Sequence, residues 1–302
     1  KYFKLAARRN HSNALFFLGL MYHEGIYVER NINDAIYYLT LAADQNNKNA
    51  MFCLSIIYQG GKKITYDIDI LIHYFKILAE KNNDVDAQLK LGVLYQQGKL
   101  VHQDIDESIR YYSLAAKQNN VNAQFSLGII YALKNDMIKA VHYFVLAANQ
   151  NHLEAHYYLG IIYNGKYGIA QNIDKVIHYL IIPANQNHSG AQFLLGLTYY
   201  QKEYTQHDIN KAIHYFSLAA SSNHAGAQYF LGIIYYKELH NIEEAIKYFT
   251  LAANQNHFEA QFNLGVIYTN GIDIQKSIHY YTLAANQNLA EAQFELGLIY
   301  IR

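Results

Sequence analysis

The chain is short of most residues and patterns that would point to a chemistry. Of its 302 residues one is cysteine, Cys53, and one is proline, Pro183. A lone cysteine excludes an internal disulfide framework and fits a reducing compartment, so a cytoplasmic setting is the expectation. Neither sign of charge is in excess, with 24 Lys and Arg against 24 Asp and Glu. Partners built on a phosphate backbone or an anionic membrane call for a clustered positive excess, so no nucleic acid is expected. Nor does any apolar run approach the ~18 residues that a bilayer demands. The densest, Leu15 to Tyr22, has eight residues and contains Gly19, so no membrane insertion by this segment is expected. No basic-then-apolar leader stands at the start. Lys1 opens inside a repeat, and the chain is expected to be a piece of a longer protein.

What is present is repetition. The stretch Asn122 to Tyr131 is written nine times with small edits, each copy keeping an Ala and then a Tyr eight residues later. The Ala positions are 14, 50, 87, 123, 155, 191, 227, 260 and 292. A Gly stands five residues after the Ala at 19, 92, 128, 160, 196, 232, 265 and 297, with Ser55 in its place once. The spacings of 32 to 37 residues between these positions mark a solenoid.

Each period holds two helical patterns. Helix A covers about 12–23, 48–59, 85–97, 121–133, 153–164, 189–201, 225–237, 258–269 and 290–301. Its Ala, Leu and Tyr share one face. An internal Gly costs roughly 1 kcal/mol of helix propensity, so its recurrence predicts a neighbouring helix crossing too closely for a Cβ. Helix B reads Ile-His-Tyr-Phe-x-Leu-Ala-Ala, as in Ile213 to Ala220, and carries the broad apolar arc of a helix packed on both sides.

Helix B is expected to close on asparagine (Asn10, Asn46, Asn82, Asn119, Asn151, Asn187, Asn223, Asn256, Asn288), which tolerates the left-handed conformation. Asn33, Asp106, Asn172, Asp208 and Asn241 are expected N-caps. Length changes fall near Lys134–Met137, Lys237–Asn241 and Thr269–Asp273 and read as loop edits. One extra residue is expected in the turn near Asn83–Asp86, and a local kink at Pro183. No linker interrupts the pattern, so residues 1–302 read as a single array of about eight full units with partial units at both ends.

The pattern Ala-x3-Leu-Gly-x2-Tyr-x2-Gly followed by Ala-x2-Tyr-x3-Ala-Ala resembles the Sel1-like repeat, a relative of the tetratricopeptide repeat. Ala14, Leu18, Gly19, Tyr22 and Gly25 with Ala35, Tyr38, Ala42 and Ala43 carry the match, and residues 87–98 with 111–116 repeat it. The likeness covers essentially the whole chain. Two departures occur: the loop Gly present at 25, 61, 98 and 271 is lost elsewhere, and Asn replaces the Gly that closes helix B. The expected fold is all-α, a right-handed superhelical solenoid of antiparallel helix pairs.

Repetition also sorts positions by role. Columns that never change are packing, and columns that vary read as solvent-facing. In helix A the position three after the Ala varies most: Phe17, Cys53, Lys90, Ser126, Tyr158, Leu194, Phe230, Asn263 and Glu295. The position nine after it varies too, from His23, Gln59 and Gln96 to Tyr200, Tyr236 and Thr269. The resemblance implies that helix A lines the concave face. Phe17, Lys90, Tyr158, Leu194, Phe230, Asn263 and Glu295 are therefore the expected partner-binding column. Exposed aromatic and apolar side chains in it would anchor a partner protein or peptide.

The 15 histidines raise a metal question. Five precede the helix B tyrosine (His73, His142, His178, His214, His279) and five follow the closing Asn (His11, His152, His188, His224, His257). Equivalent positions in stacked repeats lie on the order of 10 Å apart, whereas a metal holds its ligands about 2 Å away. Both sets read as solvated surface, with no metal and no cofactor. His23-Glu24 lacks the second His of a zinc protease, and no phosphate loop occurs. Cys53 lacks a paired His or Asn setting, so no catalysis is expected. Asn10-His11-Ser12 and Asn187-His188-Ser189 are glycosylation sequons at one structurally explained turn.

The function these features point to is a non-catalytic scaffold or adaptor. The alternatives are a helical repeat that reads single-stranded RNA, or a regulatory array attached to a catalytic domain outside this segment.

Overall fold

Helix B begins wherever an Asn or Asp can hold the first free amides of a turn. In the computed structural model of the chain, Asn172, Asp208 and Asn241 take that position as expected, their side chains accepting from the amides of Lys175, Lys211 and Glu244. Two caps differ from the sequence reading. Asn31 and Asp104, not Asn33 and Asp106, accept the first-turn amides, so those helices start one half-turn earlier. The shift brings Ile32 and Ile105 into the helix, where both pack on the core.

The structure describes residues 1–60, 68–98, 101–201, 208–271 and 273–301, and the elements among them are helices. Gly61, counted above as a loop glycine, lies outside the described residues. Two compact units are present, Lys1–Gln150 and Asn151–Arg302. In the first, A helices α2 (Ser12–Glu24), α4 (Lys48–Gly60), α6 (Val85–Gln97) and α8 (Val121–Leu133) alternate with B helices. The B helices are α1 (Tyr2–Arg8), α3 (Ile32–Ala43), α5 (Ile68–Lys76), α7 (Ile105–Lys117) and α9 (Met137–Ala148). In the second unit the A helices are α10 (Leu153–Ile161), α12 (Ser189–Tyr200), α14 (Ala225–Lys237), α16 (Phe258–Asn270) and α18 (Ala290–Ile301). Their B helices are α11 (Ile173–Asn185), α13 (Ile209–Ser221), α15 (Ile242–Ala253) and α17 (Ile274–Ala285). Each A helix packs on the B helix that follows it, and successive A helices touch, as α6 does α8 and α12 does α14.

The helix A glycine is explained by this crossing. A Cβ on Gly128 would lie 2.5 Å from Cδ1 of Phe144, and one on Gly196 would lie 2.5 Å from Cδ1 of Phe216. Both rings are fully buried. The helix A tyrosine is equally regular: Tyr131 stacks on Tyr143 with centroids 5.6 Å apart, and Tyr199 on Tyr215 at 5.8 Å. A lysine of helix B lies over the first ring of each pair, Lys139 at 5.0 Å and Lys211 at 5.0 Å.

Helix B closes on asparagine in the left-handed region, for example Asn119 at φ 60° and Asn187 at φ 63°. The exception is the third unit, where Asn83 at φ 54° takes that role and Asn82 does not. The extra residue expected in the turn sits inside the helix, as a π-helical turn at Ile77–Lys81. A π turn absorbs one residue while keeping both flanking helices in register. Pro183 lies inside α11, which runs through it to Asn185 and closes as the others do, His188 N–H donating to the Pro183 carbonyl at 3.0 Å. Replacing Asn119 by Ala is expected to cost about 1 kcal/mol, the strain of a Cβ at positive φ, while Gly there is neutral or stabilising. Urea titration followed by circular dichroism checks the order Gly ≥ Asn > Ala.

Candidate functional site

Six A helices open on a side chain that accepts a first-turn amide. This chemistry corrects the reading of His152, His188 and His224 as solvated surface, whereas His11 is exposed and makes no such bond. In the first unit the caps are Asn47, Asp84 and Asn120, each accepting from the amide three residues on. In the second unit His152, His188 and His224 do so through Nδ1, from Ala155, Ala191 and Ala227 at 3.1–3.2 Å. An accepting Nδ1 must be unprotonated, so these imidazoles are neutral. Two of the rings lie on aromatic residues of the preceding A helix: His188 on Tyr157 at 4.4 Å, His224 on Phe193 at 4.5 Å. His257 lies on Tyr229 at 4.6 Å, with its Nδ1 3.2 Å from Glu259. Burial pushes His152, His224 and His257 below the usual imidazole value. The helix B histidines keep the surface reading, His142, His178 and His214 being exposed. Among the described residues no three His, Cys, Asp or Glu side chains gather as metal ligands.

A second column missed by sequence reasoning is buried and polar. Gln88, Gln124, Gln192 and Gln261 follow the helix A alanine, and each donates to a last-turn carbonyl of the preceding helix B, at 2.9–3.3 Å. The next turn extends the ladder: Gln118 donates to Gln88 and Gln150 to Gln124, as Gln255 does to Gln228 and Gln287 to Gln261. The recurrence of Gln beside Ala was the available signal.

The variable column is half-buried, with Phe17 as its exposed member. Several of its residues meet the preceding repeat, and what they meet fits their chemistry. Lys90 lies over Phe52 at 5.1 Å and over Phe75 at 5.4 Å. Ser126 bonds the phenol of Tyr112, which also donates to Gln96 at 2.8 Å. Phe230 stacks on Phe216 at 5.4 Å and meets Tyr200 at 6.0 Å. Glu295 acts on the Tyr281 phenol, which bonds Thr269. Thus the residue three after the Ala, the residue nine after the previous Ala and the helix B ring between them change as sets. The Tyr112 and Tyr281 phenols have polar neighbours, the Phe216 ring has aromatic ones, and Phe75 has the cation of Lys90.

The remaining members divide between packing and solvent. Leu194 packs on the core around Leu195, and the Asn263 amide donates to the Glu259 carbonyl at 2.8 Å. Tyr158 is half-buried beside Tyr157 at 6.0 Å. Phe17 stacks on Phe3 at 5.4 Å and borders an open cavity of about 500 Å³ with Tyr2, Ala6 and His11. Gln59 has its side chain outside the described residues. Cys53 is half-buried, and burial reinforced by Glu24 pushes its thiol up, away from thiolate chemistry. Among the described residues no helix is long and apolar enough to cross a membrane.

The sequence profile of the Sel1 repeat matches residues 12–47, 85–120, 121–152, 153–188, 189–224, 225–257, 258–289 and 290–302. A comparison with curated protein sequences finds no match. Among solved structures, the chain is similar to a protective antigen of uropathogenic Escherichia coli displaying an SLR fold. The TM-score is 0.79 at 27% identity, over 98% of this chain and 66% of that one. The chain thus spans just under two thirds of that antigen's length. A Sel1 repeat protein from Oxalobacter formigenes gives a TM-score of 0.76 at 23% identity, over 99% of this chain and 89% of that one. That second likeness shows the fold.

Proposed function

Because the chain belongs to the Sel1 repeat family, whose members are generally non-catalytic protein-interaction scaffolds, we propose that it holds a partner protein or peptide along its A helices. One observation carries this reading. On a backbone whose caps, glycines and stacked tyrosines hardly change, the half-buried column passes through Phe17, Lys90, Tyr158, Leu194, Phe230, Asn263 and Glu295. A packing set alone explains Ser126 and Phe230. It leaves Phe17, Tyr158 and Leu194 with solvent-reaching apolar surface, which is the composition of an anchor.

Photo-crosslinking tests the assignment. A benzophenone side chain placed at Tyr158 or Leu194 is expected to trap the partner, and one placed at His178 or His214, on the exposed helix B surface, is not. Equal crosslinking from both surfaces, or crosslinking from the B surface alone, overturns the assignment.

A further inference from the structure

We infer that the A-helix face of the second unit docks a peptide segment with an apolar middle and basic ends. The inference rests on the scaffold reading above and adds the chemistry of the partner. The charged residues of the five A helices are Glu154, Glu259, Glu291 and Glu295, with Lys237 at the end of α14. In the first unit the same helices are balanced, Glu24 and Asp86 against Lys48 and Lys90. Lys237 stands at the far end of α14, and the paired lysines of the second unit are held on the B helices. Lys211, Lys247 and Lys276 pair with Asp208, Glu244 and Asp273 at 3.0–3.3 Å, and Lys175 lies over Tyr163.

Among the described residues no lysine or arginine therefore pairs with Glu154 or Glu259. Glu154 faces Nε2 of His188 at 3.4 Å, but that ring is a neutral cap whose Nδ1 accepts an amide. Glu259 faces Nδ1 of His257, which burial holds below the usual imidazole value. Both carboxylates also act on tyrosine phenols of the face, Glu154 on Tyr157 and Glu259 on Tyr229. Between them the acidic position is glycine twice. Gly190 and Gly226 sit where Tyr157 and Phe193 reach across, a Cβ at either coming within 3.0–3.2 Å of those rings. The acidic ends thus bracket a stretch with no side chain at its edge, floored by the half-buried Tyr158 and Leu194.

Consecutive A helices lie roughly 10 Å apart, so three steps from Glu154 to Glu259 span about nine residues of extended chain at ~3.3 Å each. Carboxylates at both ends of an apolar floor complement a segment of that length whose first and last residues are basic.

The probe is a fluorescein-labelled peptide of about twelve residues, with two arginines at each end and leucine and phenylalanine between. Its counterparts carry glutamate or glutamine in place of arginine. At low salt the arginine peptide is expected to bind about 10-fold tighter than the glutamate one. That advantage is expected to vanish in the Glu154→Gln/Glu259→Gln protein, whose fold is verified by circular dichroism. Glutamate or glutamine peptides binding as well as the arginine one, with loss on Tyr158→Ala, overturn the basic partner and leave the scaffold reading standing. Arginine-peptide binding untouched by the two Glu→Gln changes also overturns it. Failure of every peptide overturns it too, and absence of crosslinks from Tyr158 and Leu194 brings down the scaffold reading with it.

Discussion

Replacing Gly128 by alanine destabilises the first unit, although the same change in an exposed helix would stabilise it. Alanine is favoured over glycine inside a helix by roughly 1 kcal/mol. At Gly128 the new methyl would meet Cδ1, Cε1 and Cγ of Phe144 at 2.5, 2.6 and 3.0 Å. Phe144 has no exposed surface, is packed against Phe125 with ring centroids 5.8 Å apart, and cannot turn away. Overpacking of this kind costs about 1–3 kcal/mol, which exceeds the propensity gain. The helices must separate, and the strain falls on α8 and α9 because a repeat contacts only its neighbours.

Three further proteins separate sterics from propensity. Phe144→Ala alone is expected to cost about 3–5 kcal/mol. In that background the Gly128→Ala change becomes stabilising, since the ring it struck is gone. Gly297→Ala is the control, because a Cβ there meets nothing within 4 Å. Amide hydrogen exchange over α8 and α9 reads the effect. Slower exchange in Gly128→Ala than in the parent would show that propensity wins and that the crossing is looser than the geometry requires.

The same glycine shows how far the sequence could be read. A helix-breaking residue kept at one phase of a repeat has few causes, and a close crossing is the commonest, so helix A, its partner and their contact were all legible. The left-handed asparagines were legible for a similar reason. The cap of helix B was placed two residues late at Asn33 and Asp106 because Ile32 and Ile105, ahead of the obvious apolar stripe, read as loop. The extra residue of the third unit was assigned to a turn because turns usually absorb insertions. Only backbone bonding distinguishes that from the π turn at Ile77–Lys81.

The variable column was found, but what its variation means was not legible. Ser126 and Phe230 answer to Tyr112 and Phe216, residues 14 positions earlier in each case. The letters of one column carry no mark of that dependence. The cap histidines were misjudged because His, Asn and Asp exchanging at one position looks like drift on a polar surface. It is instead the substitution pattern of a group that must accept one amide hydrogen.

Acidification from pH 7.5 to 5 is therefore expected to loosen the second unit and spare the first. His152, His188 and His224 hold amides through an unprotonated Nδ1. Burial depresses His152 and His224 in the folded chain. A depressed imidazole contributes stability that is complete above the unfolded value, about 6.5. That stability is lost as pH falls through the folded value, because the unfolded chain takes up protons first. Protonation also places a cation at a helix N-terminus, where the dipole opposes it.

Each lost cap costs about 1 kcal/mol, so the loss of His152 and His224 weakens α10 and α14 by about 2 kcal/mol together. Glu154 beside His152 and His188 offsets part of the effect, as does Glu259 beside His257. The aspartate caps are not engaged in this window. Asp136, Asp208 and Asp273 are held below the usual carboxylate value by hydrogen bonds from Lys139, Lys211 and Lys276, and they stay ionised. In the first unit Asn47 and Asn120 do not titrate at all.

Hydrogen exchange corrected for intrinsic rate should show protection falling in α10 and α14 by about 30-fold, the equivalent of ~2 kcal/mol. Residues 85–133 should hold theirs. The variant His152→Asn/His188→Asn/His224→Asn, which writes the first unit's cap into the second, should abolish the difference. Equal loss in both units, or a pH response that survives the three asparagines, would place the acid sensitivity outside the caps.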